Sequence, residues 1–226
     1  MNLPLHEACM SNNLRKAQEI FNDSPQDLYQ KDADGRIPLH WAVSFQSEEI
    51  VSFLLLQMVN VSVDNYKDES GWTPFHIACA VGNLYIVTNL YERHEKPDLN
   101  LPTNQGVTAL HLAVSKKHTK ICEFLLEKGA SVRVKDKRSQ LPLHRAAAIG
   151  SMSMVDMLCK AGSPINTSDV EGWTPLFHAL AEGHGDVAVL LVLHGADPDL
   201  ETSDGSKAVD FAVNDEVKKY FLRNIS

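Results

Sequence analysis

An alanine closes the same six-residue phrase seven times along this 226-residue chain, at positions 8, 42, 78, 113, 146, 179 and 212. The intervals are 34, 36, 35, 33, 33 and 33 residues. A period of that length leaves few folds open, because each copy is one small supersecondary unit that cannot bury its own apolar face and must stack on its neighbours. The phrase reads Thr73-Pro74-Phe75-His76-Ile77-Ala78 and Thr108-Ala109-Leu110-His111-Leu112-Ala113, and recurs at Leu3–Ala8, Ile37–Ala42 and Leu141–Ala146. Two copies drift: Thr174-Pro175-Leu176-Phe177-His178-Ala179 puts phenylalanine in the histidine slot, and Lys207-Ala208-Val209-Asp210-Phe211-Ala212 has lost the proline.

Each copy reads as helix, turn, helix. Threonine can cap the first helix, and proline suits the first helical position, whose amide needs no acceptor. About nine residues after the alanine a second apolar helix begins, as in Ile50, Val51, Phe53, Leu54 and Leu55. Gly129, Gly162 and Gly195 stand where that helix should end. Asp32-Ala33-Asp34-Gly35, Asp68-Glu69-Ser70-Gly71 and Asp169-Val170-Glu171-Gly172 then carry the chemistry of tight turns, which should project as fingers.

The threonine-proline-leucine-histidine-x-alanine phrase at this period is the ankyrin signature, and the chain resembles an ankyrin-repeat protein over its whole length. The expected fold is therefore all-α, a solenoid of seven helix-turn-helix units with β-turn fingers, forming one domain. The unit boundaries fall near 1–31, 32–67, 68–102, 103–135, 136–168, 169–201 and 202–226. The first and last copies depart from the pattern as caps should. The extra residues behind the two longer intervals belong in loops near Asn60–Tyr66 and His94–Asn100.

Composition removes whole classes of function. With 44% apolar and 22% charged residues the chain should fold, and no apolar run is long enough to cross a bilayer. The start, Met-Asn-Leu-Pro-Leu-His-Glu, has neither the basic nor the apolar region of a secretion signal, so cytoplasm and nucleus are the expected compartments. Cys9, Cys79, Cys122 and Cys159 lie too far apart for a metal or redox motif and read as reduced, mostly buried thiols. The net charge of −8 opposes nucleic-acid binding. That charge is banded: residues 116–145 hold nine bases and three acids, whereas 163–215 hold ten acids and one base.

Ten histidines suggest metal or acid–base chemistry, yet His6, His40, His76, His111 and His144 share one repeat slot and should hydrogen-bond neighbouring backbone. No phosphate-binding glycine loop, nucleophile elbow or paired-histidine zinc helix occurs. No catalytic residue, metal ligand or cofactor is therefore expected. The repeat instead offers a surface of finger tips and first helices on the hollow side of the stack. The positions there that the phrase leaves free include Asp34, Arg36, Trp41, Phe45, Glu69, Trp72, Lys116, Lys137, Arg138, Arg145, Glu171, Trp173 and His178. All three tryptophans are among them, and Trp and Arg are frequent interface anchors. Trp72 and Trp173, each in Gly-Trp-Thr-Pro, serve equally well as braces between fingers; Trp41 and Phe45, one helical turn apart, read as an exposed apolar patch.

Beyond the repeat, Asp34–Trp41, Gly71–Cys79, Gly129–Lys137 and Leu176–Asp186 resemble the gankyrin family, most closely its fungal branch. That resemblance implies a non-enzymatic, monomeric chaperone for assembly of the proteasome regulatory particle. Its concave face would bind the C-terminal domain of one AAA-ATPase subunit of the base through charged and aromatic residues, carried over here to Asp34, Arg36, Trp41, Glu69 and Trp72, and to Lys137, Arg138, Arg145 and Glu171. A general ankyrin adaptor, or an inhibitor of kinases or transcription factors, is the alternative. His178–Glu182 lacks the leucine and cysteine of the pocket-protein motif carried by the animal branch, so that role is not expected.

Overall fold

The computed structural model describes residues 3–225; Met1, Asn2 and Ser226, the outermost residues of the first and seventh units, lie outside it. Two compact bodies, Met1–Gln105 and Gly106–Ser226, make up the chain. In the first, the helices are α1 (Pro4–Met10), α2 (Leu14–Asp23), α3 (Pro38–Ser44), α4 (Glu48–Gln57), α5 (Pro74–Val81) and α6 (Leu84–Tyr91). In the second they are α7 (Ala109–Ser115), α8 (Thr119–Glu127), α9 (Pro142–Ala148), α10 (Met152–Lys160), α11 (Pro175–Ala181), α12 (Gly185–Leu193) and α13 (Asp215–Ile225). No strand occurs among the described residues, only an isolated antiparallel bridge between Glu201 and Lys207.

Within each body, first helices pack on first helices and second helices on second helices. Leu5, Leu39 and Phe75 are buried in one body and Leu110, Leu143 and Leu176 in the other, all at the same place in the phrase. Proline occupies the first turn of α1, α3, α5, α9 and α11. Asn13 and Asn83 cap α2 and α6 by accepting the Lys16 and Ile86 amides (3.0 and 3.1 Å). At the end of α8, Gly129 takes φ +92°, a left-handed conformation that costs glycine little.

The histidine slot has a definite task. Nδ1 of His40, His76, His111 and His144 accepts the backbone amide at the start of its own helix, from Ile37, Thr73, Thr108 and Leu141 (3.0–3.2 Å). A nitrogen that accepts carries no proton, so these neutral rings are Nε2–H tautomers. Nε2 of His40 and His111 then donates to the carbonyls of Trp72 (3.3 Å) and Gln140 (3.1 Å) in the following unit, and that of His76 to the Leu101 carbonyl (2.9 Å) at the end of its own. His6 Nε2 similarly meets the Arg36 carbonyl (3.0 Å). The backbone role expected for the slot holds. Burial pushes His40, His111 and His144 down to about 4.

The seventh unit departs from helix-turn-helix. Its first element is a single 3₁₀ turn, Ala208–Phe211, with Asp210 standing in the histidine slot. Asp210 repeats half of the histidine's work, its carboxylate accepting the Lys207 amide (3.0 Å), but it offers no donor to a further unit. The first long interval also resolves. Arg93 bonds the Leu55 carbonyl (2.8 Å) and the Met58 carbonyl, tying the end of α4 to the loop beyond it. Tyr66 stacks on Tyr29 with ring centres 5.6 Å apart.

Candidate protein-binding face

One aspartate organises each well-formed finger, buried at Asp68, Asp136 and Asp169 and half-buried at Asp32. One oxygen, Oδ1, accepts two amides of its own turn: Asp32 from Asp34 and Arg36, Asp68 from Ser70 and Trp72, Asp136 from Arg138 and Gln140, Asp169 from Glu171 and Trp173 (2.8–3.1 Å). The other oxygen is left for a side chain. Nine residues on, the variable position of the first helix supplies one where it is polar: Trp41 Nε1 to Asp32 (2.7 Å), Arg145 Nη2 to Asp136 (2.7 Å) and His178 Nε2 to Asp169 (2.9 Å). After Asp68 that position is the apolar Ile77, and Arg36 Nε reaches forward from the preceding finger instead (3.1 Å). Gln140 Nε2 makes the same forward reach to Asp169 (2.8 Å). The fourth finger has Thr103 in the aspartate's place, its hydroxyl accepting the Gln105 amide (3.3 Å).

These bonds set the charge state of the fingers. Burial alone would raise Asp136, but the Arg145 side chain and the Gln140 and Arg138 amides outweigh it and hold the carboxyl below the ordinary carboxylate range. Asp169 is lowered against burial by Gln140, His178 and its own turn, and Asp32 by the Arg36 amide and the Trp41 indole. Backbone bonds then join finger to finger, from the Glu69 amide to the Asp34 carbonyl (2.9 Å) and from Val170 to Arg138 (3.0 Å).

The residues selected from sequence divide accordingly. Asp34, Phe45, Glu69, Lys116, Lys137, Arg138 and Glu171 are exposed. Arg36, Trp41, Trp72, Arg145, Trp173 and His178 are half-buried, and the side chains of Arg36, Trp41, Arg145 and His178 hydrogen-bond within the protein. In the first body the structure brings together Arg36, Trp41 and Phe45: the guanidinium lies 5.3 Å from the Trp41 ring centre, and the two rings are 6.2 Å apart. Phe45 is 53% exposed, so the apolar patch is real but rests on one ring more than two. In the second body Arg138 and Glu171 pair at 2.8 Å on the surface, while Lys116 and Lys137 have no part in the aspartate network. Trp173 lies edge-on to His178 (5.3 Å) and Phe211 (5.0 Å), bracing the last fingers. His178 has a 12% exposed side chain and points into the Asp169 hub.

The aspartates themselves were not among the selected residues. Their signal was present, since each well-formed finger opens with Asp four residues before one variable position and nine before another. Among the described residues no group of three or more His, Cys, Asp or Glu side chains is arranged to hold a metal ion, and no helix is long and apolar enough to cross a membrane.

The repeated fingers and first helices of each body are those of a protein-binding repeat scaffold, and comparisons with known proteins agree. Sequence profiles of ankyrin repeats match residues 5–55, 56–136 and 132–202, and the chain belongs to the ankyrin-repeat family. The gankyrin-type resemblance holds at full length: the chain is 61% identical over 226 residues to the probable 26S proteasome regulatory subunit p28 of Saccharomyces cerevisiae, covering 99% of each. An ankyrin repeat-containing protein of Schizosaccharomyces pombe is 41% identical over 123 residues, 53% of this chain and 50% of that one. Among solved structures, the ankyrin repeat domain of Bcl-3 superposes with a TM-score of 0.80 at 28% identity, covering 97% of both chains.

Proposed function

We propose that the chain is a non-enzymatic assembly chaperone of the 26S proteasome regulatory particle, which binds the C-terminal domain of one AAA-ATPase subunit of the base with its fingers and first helices. The observation that carries this reading is the 61% identity with yeast p28 across 99% of both chains. The chemistry of the face supports it. Exposed acids at Asp34 and Glu69, bases at Lys116, Lys137 and Arg138, and the apolar Phe45 suit a folded partner of mixed charge, recognised by complementarity that salt weakens. Such a protein works in the cytoplasm and nucleus.

Affinity purification from fungal extract followed by mass spectrometry tests the partner, and recovery of proteasomal ATPases is expected; recovery of kinases or transcription factors in their place rejects it. Charge reversal tests the face. Arg138→Glu and Lys137→Glu touch exposed side chains and should weaken binding to the recovered ATPase at least tenfold in calorimetry without lowering the melting temperature. Wild-type affinity in both variants would place the interface elsewhere.

A further inference from the structure

The second helices of the first body carry a feature the repeat does not require. In α4 the buried stripe is Ile50, Val51, Leu54 and Leu55, and the opposite side of such a helix is normally polar. In α8 of the second body it is, with Lys120, Glu123 and Glu127 exposed. On α4 and the turn beyond it, Leu56 is 75% and Val59 67% exposed, and Tyr85 of α6 is 50% exposed. Leu56, Tyr85 and Ser52 line two adjoining clefts of about 310 and 430 Å³ across α2, α4 and α6.

Charge says what fits there. Glu48 and Glu49 line the end of the groove at the start of α4, and neither forms an ion pair among the described residues. Glu48 is held in place by Asn83 Nδ2 (2.8 Å). Arg93, the one base lining the clefts, is spent on backbone carbonyls, and Arg15 of α2 on Glu19 (3.0 Å). Tyr85 shares one cleft with Glu48, Glu49 and Leu56, so the carboxylates lie at the start of α4 and the exposed Leu56 at its end, beside the Arg93 guanidinium held by backbone; the eight positions from Glu48 to Leu56 span about 12 Å, roughly two helical turns.

We propose that this groove is a second protein-docking surface, distinct from the finger face, and that its occupant is an amphipathic α-helix of another protein with a basic residue over Glu48 and Glu49 and a leucine-like side chain against Leu56 two turns away. Helix-in-groove recognition needs an apolar anchor at that spacing, and the acidic end fixes the helix direction.

The test uses the full chain, isotope-labelled, titrated with an 18-residue amphipathic helix bearing lysine and leucine seven positions apart, and with the same peptide carrying glutamate for lysine. Amide shifts at residues 48–56 and 85–89 with the basic peptide only are expected. Glu49→Lys and Leu56→Asp, both exposed, should each weaken that titration at least tenfold with an unchanged melting temperature, whereas Arg138→Glu should not alter it. Equal binding of the acidic peptide, shifts mapping to other residues, indifference to both groove variants, or the same shifts produced by phosphatidylserine vesicles would overturn the proposal.

Discussion

At the scale of single residues, the finger aspartates do more than their place in a turn suggests. Asp136 receives two backbone amides and the Arg145 guanidinium while almost wholly buried, so Asp136→Ala removes one acceptor from three donors. A loss of about 2–4 kcal/mol in urea unfolding is expected, against less than about 0.5 kcal/mol for Lys137→Ala beside it. The turn role of Asp was legible, because Asp and Gly three residues apart define a local geometry. Its second oxygen was not, because Trp41, Arg145 and His178 return to it only after the chain has folded into the first helix. For the same reason half of the selected binding residues were read as freer than they are. A side chain nine positions along the sequence cannot be seen to point inward until the turn and helix are both in place.

At the scale of elements, neighbouring units are interlocked through backbone that only certain residues allow. Gly71 has φ +78°, and a Cβ there would sit 2.5 Å from Asn104 Oδ1 and 2.7 Å from the Asn104 amide. Gly71→Ala therefore strains its own backbone and separates two fingers; thermal melting should show a loss of roughly 2 kcal/mol or more. Arg93→Met should act differently, since it unties the end of α4 without opening the core: amide exchange should quicken at residues 58–66 and stay unchanged in α5. Helix starts were readable from proline and threonine, and the looped extra residues from the longer intervals. The contraction of the seventh first helix to one 3₁₀ turn was less so. Asp210 replaces the amide acceptor of the histidine, but nothing local in Lys207–Ala212 reveals that the following residues leave early, with the Val213 amide bonding the Leu180 carbonyl (3.1 Å).

At the scale of the whole molecule, the histidine ladder makes stability depend on acid. His40, His111 and His144 are neutral in the folded protein down to about pH 4, whereas unfolded they protonate near 6.5. Between those values the unfolded chain binds more protons, so their contribution is complete above about pH 6.5 and is lost as pH falls toward 4, each ring costing on the order of 1–3 kcal/mol over that window. Asp32, Asp136 and Asp169, lowered in the folded state, add their loss only below about pH 4. On urea unfolding at pH 5.5 these rings should accordingly take up about three protons, and uptake below one would contradict their being neutral in the folded protein. The seven-unit fold was legible because packing repeats the same demand every 33 residues or so; the partner was not, because Asp34, Lys137 and Glu171 face water and no interior contact constrains them. The forward reach of Arg36 to Asp68 and of Gln140 to Asp169 has a practical corollary for anyone recombining this scaffold. The transplantable module is out of step with the written period: a graft that begins at Asp68 or Asp169 loses one donor to that carboxylate, and one that also brings the last residues of the turn before it does not.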